Sequence, residues 1–233
     1  MYHPFSVAET LKSSWDFLVK NLATIVVYSI ISLLVMGIFA FAVYVFRDDS
    51  LIGVAGVFAL LIIISYNFLA FNKLIFRLMD SAYHEVSLSE IVPTVKMVAS
   101  YLALLLTISA LSVFLSKAIE KMDESYLQYF LGIAVGYVSQ FFLLFYFPLC
   151  TCYIVDDQSG PFESISQSFG LIKGNIIKYF MLFVVVEALI VIASLTIVGF
   201  ILIIPIVNII LAMTYRKLVY SHQDIDDDIA ETN

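Results

Sequence analysis

The sequence predicts an all-α integral membrane protein with six transmembrane helices arranged as three hairpins, each preceded by an amphipathic interfacial helix. Three observations lead there. Of 233 residues, 62% are apolar and only 13% charged, more apolar surface than one soluble core of this size can hide. Several uncharged runs reach the roughly 20 residues that a helix needs to cross about 30 Å of hydrocarbon. These runs are continuous, without the two-residue alternation of barrel strands, and a backbone in lipid must close its own hydrogen bonds, so they read as helices.

Taken in chain order, residues 1–20 carry Glu9 and Asp16 and lack a short apolar stretch ahead of a small-residue cleavage site, so no removable signal peptide is expected. The spans are read at 22–46, 51–72, 97–116, 126–155, 176–195 and 197–215. Ahead of each pair stands a similar start. Ser6-Val7-Ala8-Glu9, Ser87-Leu88-Ser89-Glu90 and Gly160-Pro161-Phe162-Glu163 each set an N-cap residue three positions before a Glu, and Pro161 suits a first helical position.

After the first start, Phe5, Ala8, Leu11, Trp15 and Leu18 recur at helical spacing among polar residues, the pattern of a helix lying in the membrane interface. The third start repeats it with Phe162, Ile165, Phe169 and Ile172. An ungapped alignment pairs Glu9 with Glu163, Ser14 with Ser168, Trp15 with Phe169 and Asn21 with Asn175. The copy around Ile91 and Val95 is fainter. The expected organisation is one polytopic domain, 1–220, with repeats at 5–79, 87–155 and 160–220, followed by a flexible acidic cytoplasmic tail, 221–233. Trp15, Phe162 and Phe169 are the expected membrane contacts, and the lipid bilayer is the expected partner.

Orientation follows from Lys and Arg near the spans. One side receives Lys12, Lys20, Lys73, Arg77, Lys96, Lys173, Lys178, Arg216 and Lys217, and the other only Arg47, Lys117 and Lys121, which puts both termini in the cytoplasm.

The segment Ser168-Phe169-Gly170-Leu171-Ile172-Lys173-Gly174-Asn175, followed by a hairpin with Gly199 and Pro205 and ending Tyr215-Arg216-Lys217, resembles a broad group of poorly characterised bacterial inner-membrane proteins. Ser14-Trp15 to Lys20-Asn21 echoes it. That group resembles the membrane domain fused to some glycerophosphodiester phosphodiesterases. The resemblance implies a bacterial plasma membrane and not hydrolysis, because the fused enzymes carry their chemistry on a separate soluble barrel for which this chain has no room.

Glu187 lies about halfway through the fifth span, where a central acidic residue costs roughly 2.5 to 3.5 kcal/mol on insertion scales. It is expected to face the bundle, a partner or water. Two readings stand: a proton- or cation-sensitive centre in a transport path, or a neutral Glu hydrogen-bonded between helices. Asn67, Gln140 and Asn208 fall near mid-membrane and are candidate neighbours in one polar layer, as a transport site or as interhelical hydrogen-bonding groups. Pro148 and Pro205 each remove a backbone donor and can kink a span.

Other features carry less chemistry. Asp80, His84 and Glu85 bring carboxylates near an imidazole without a well-spaced further ligand, which fits a solvated connection better than a metal site. Cys150 and Cys152 are too close for an ordinary disulfide and lack the gap of zinc or redox motifs, so no cofactor is implied. The tail holds Asp224, Asp226, Asp227, Asp228 and Glu231 without Lys or Arg, which suits solvation or a basic protein partner and disfavours nucleic acid. No nucleophile elbow, His-Glu-x-x-His pair or phosphate loop is present, so no enzyme is expected. The leading expectation is a non-enzymatic membrane-organising or accessory protein. The alternative is a small transporter or channel-like protein using Glu187.

Overall fold

A computed structural model describes residues 5–46, 50–81, 86–122 and 125–231. In chain order its helices are α1 (Val7–Lys20), α2 (Leu22–Val45), α3 (Ser50–Asp80), α4 (Leu88–Ile91), α5 (Val95–Glu120), α6 (Tyr126–Phe145), α7 (Phe147–Asp156), α8 (Pro161–Ile172), α9 (Ile176–Ala193) and α10 (Ile197–Glu231). No strand occurs among the described residues. Six helical stretches are long and apolar enough to cross a membrane, α6 and α7 together forming one of them, so the chain is a multi-pass membrane protein.

The helices divide into two compact units, Met1–Pro93 with Gly170–Asn233, and Thr94–Phe169. In the first, α10 packs against α1, α9, α3 and α2, and α2 packs against α3. Ile209, Ile210, Ala212, Thr214, Tyr215 and Leu218 of α10 are buried at its centre. The second expected span ends at residue 72, yet α3 runs to Asp80. Leu74, Ile75 and Phe76 continue the buried stripe of Leu69 and Phe71, while Lys73 reaches the Val92 carbonyl oxygen at 2.7 Å. Continued burial on one face outweighs the charges on the other.

In the second unit α5 packs against α6 and α7. Ser112 Oγ and Ser139 Oγ join α5 to α6 at 2.7 Å, and the Tyr101 and Phe147 rings meet with centroids 5.3 Å apart. The fourth span is interrupted where Pro148 stands. Tyr146 ends α6 and caps α7, and Pro148 falls in the first turn of α7, where a missing N–H leaves no gap. Pro205, in contrast, lies within the continuous helix α10.

The fainter second start is a single helical turn, α4. Pro93 accounts for the stop, since the residue before a proline is pushed out of the helical region, and Val92 sits at φ −64°, ψ 120°. Thr94 then opens α5, its Oγ1 accepting from the Met97 N–H at 3.3 Å.

Candidate functional site

The most regular repeated feature is the shared design of α1 and α8. Thr10, Ser14 and Leu18 of α1 are buried, and at matching positions Ser164, Ser168 and Ile172 of α8 are buried too. The hydroxyls are consumed on their own helices. Thr10 Oγ1 donates to the Ser6 carbonyl (2.7 Å) and Ser14 Oγ to the Thr10 carbonyl (2.8 Å), while Ser164 Oγ donates to the Pro161 carbonyl (2.8 Å) and Ser168 Oγ to the Ser164 carbonyl (2.7 Å). A small side chain whose only donor bonds its own backbone packs closely without an unmet polar demand.

The large aromatic residues lie on the other side of both helices. Trp15 is 60% exposed, Phe162 68% and Phe169 47%. Phe169 also leans on Tyr146, with ring centroids 4.2 Å apart. Each helix then passes to the next through an asparagine in the same conformation: Asn21 at φ −111°, ψ 17° and Asn175 at φ −121°, ψ 14°. Their carbonyls accept the first bonds of α2 and α9, from the Ile25 N–H (3.0 Å) and the Tyr179 N–H (2.9 Å). Ile25 and Tyr179 are both buried. At the start of α8 the Glu163 carboxylate accepts from the Gly160 N–H at 3.1 Å, whereas Ser6 caps α1 without a side-chain bond.

The intramembrane polar residues are distributed. Asn67 lines a cavity of about 200 Å³ between α2, α3 and α10, and its Oδ1 accepts from Ser32 Oγ at 3.2 Å. Asn208 is buried and bonds the Ile204 carbonyl within α10 at 2.8 Å. Glu187 is half-buried on α9, does not line that cavity, and has no hydrogen bond among the described residues. Gln140 lies in the second unit, exposed on α6. The residues that do join Asn67 are Tyr28 and Ser32, one helical turn apart on α2, a polar pair that an inspection confined to charges and amides passes over.

Asp80 forms an ion pair with Arg216, Oδ2 to Nη2 at 3.1 Å, and the Arg216 guanidinium lies over the Phe76 ring at 5.2 Å. His84 and Glu85, its expected neighbours, lie outside the described residues, and no metal-ligating cluster occurs among the described ones. Cys150 and Cys152 are buried thiols. Comparison with family models, with curated proteins and with solved structures gives no match.

Proposed function

We propose that this is a non-enzymatic protein of the bacterial plasma membrane that organises the cytoplasmic leaflet through helices lying in the membrane plane. The observation that carries the reading is the shared design of α1 and α8, a bond-satisfied Ser/Thr stripe turned inward and Trp15, Phe162 and Phe169 turned outward. Aromatic rings and lysine stems are the side chains that settle at the headgroup boundary. In this reading the chain is a tandem of three units, each an in-plane helix followed by a transmembrane hairpin, with both termini cytoplasmic. The second in-plane helix has shrunk to α4. The resemblance to the membrane domain of the phosphodiesterases contributes the location and no hydrolysis, and the acidic segment 221–233 offers a docking place for a basic protein.

Trp15 is the sole tryptophan, so the intact protein carries its own depth probe. In lipid vesicles its emission is expected to be blue-shifted and quenched most by bromines placed near the headgroups. Quenching strongest at the bilayer centre, or fluorescence characteristic of bulk water, contradicts the reading. The leaflet role is tested by lipid-packing probes in the same vesicles, where the combined W15A, F162A and F169A changes are expected to abolish the protein's effect.

The cavity beside Asn67 favours a second reading, a small transporter or channel-like protein whose intramembrane polar site is built on Asn67. Solute flux in proteoliposomes that Asn67→Leu abolishes would establish it and displace the first.

A further inference from the structure

We propose that the cavity between α2, α3 and α10 binds a neutral amphiphile whose polar end is a hydroxyl group. The inference needs only membrane residence and is independent of the leaflet role. Leu33, Ile64 and Ile204 form its rim and are 39%, 43% and 44% exposed, so it opens towards lipid. Its inner end is closed by Tyr28 and Phe71, whose rings stack with centroids 5.6 Å apart. Apolar walls thus lead inward to a polar group.

The hydrogen-bond inventory defines the ligand. Ser29 Oγ donates to the Ile25 carbonyl (2.8 Å), Ser32 Oγ to Asn67 Oδ1 (3.2 Å) and Tyr28 OH, at a long 3.5 Å, to the Asn67 carbonyl. Asn67 Nδ2 donates one hydrogen to the Ile63 carbonyl at 2.9 Å. Every hydroxyl hydrogen is therefore engaged, the hydroxyl oxygens keep lone pairs, and the amide keeps its second N–H. Pro205 lines the wall and supplies no N–H to the cavity.

What remains is several acceptors and one donor in low dielectric, where unmet groups are costly. A hydroxyl donates once and accepts from the amide, matching both. A carboxylate only accepts, and neither it nor an ammonium finds a counter-charge, because no charged residue lines the cavity. At about 200 Å³ the space suits the hydroxyl end and first carbons of an amphiphile, below the size of a drug-like pocket.

The test uses the full-length protein in lipid nanodiscs, photolabelled with a short-chain diazirine alcohol and with the diazirine alkane of equal chain length. Labelled residues are mapped by mass spectrometry. The alcohol is expected to label segments 28–36 and 64–71 about three- to tenfold more than the alkane, the preference one or two hydrogen bonds provide. Asn67→Leu, which removes the amide donor, is expected to reduce alcohol labelling to the alkane level, and Leu33→Trp, which fills the rim, to remove both. Should Asn67→Leu fail to fold, the alcohol-to-alkane ratio on the native protein and Leu33→Trp carry the test. Equal labelling by the two probes, absence of labelling as from a cavity holding only water, or alcohol labelling unchanged by Leu33→Trp would each overturn the proposal.

Discussion

Single residues act here through the space around them. Gly199 sits where the chain turns from α9 into α10, and a Cβ placed on it would lie 2.5 Å from the Ala193 carbonyl oxygen and 2.6 Å from Thr196 Oγ1. Gly136, on the open side of α6, would place its Cβ with nothing within 4 Å. Both glycines stand in apolar runs, and helix propensity alone makes Ala the better residue at both. Contact reverses the sign at one of them. Gly199→Ala is expected to lower stability by about 1 to 3 kcal/mol, the usual cost of forced overpacking. Gly136→Ala is expected to leave stability unchanged or raise it by up to about 1 kcal/mol. Thermal unfolding of the two purified variants side by side checks this, and equal losses would contradict it. The polar residues were legible to the same limited degree. Asn67, Asn208, Gln140 and Glu187 all announce themselves as unusual in an apolar run, but which of them line a cavity depends on helix rotation, which hydropathy does not encode. Tyr28 and Ser32 were missed because a tyrosine and a serine are common in membrane helices; their one-turn spacing was the available signal.

At the scale of elements, continuous hydrophobicity located the membrane helices closely, with the fifth span expected at 176–195 and found as Ile176–Ala193. What it could not supply is how a helix ends or bends when proline is involved. Pro93 cuts α4 to one turn, Pro148 separates α6 from α7, and Pro205 leaves α10 continuous. One residue type gives three outcomes because the bend depends on which groups take over the carbonyl that proline cannot satisfy, and those partners are distant in sequence. Pro148→Ala is expected to restore the bond from residue 148 to the Leu144 carbonyl and join α6 to α7. Amide exchange between residues 144 and 150 should then slow, by about five- to tenfold for a single regained hydrogen bond. Exchange unchanged there would mean that the packing of Tyr146 between Phe145 and Phe169, not the proline, holds the break.

For the whole molecule, orientation is the property that sequence addresses most directly, through the placement of its basic residues. Nine of the twelve basic residues fall on one side of the six spans, and inversion would place that excess where positive charge is disfavoured. Burial determines where a label can report. Ser159 and Ser221 are buried and would resist modification on either side of the membrane, whereas Ser89 and Gln158 are exposed on one set of connections and Ser125 on the other. Because Cys150 and Cys152 are buried, single cysteines at these exposed positions can be read above a low background. With a membrane-impermeant maleimide on intact cells, Ser125→Cys is expected to react. Ser89→Cys and Gln158→Cys are expected to react only after the membrane is opened. The reverse pattern would invert the proposed orientation and put Trp15 and Phe169 on the outer side. Labelling of Ser89 and Ser125 from the same side would break the alternation of spans itself, since α5 alone separates the two positions.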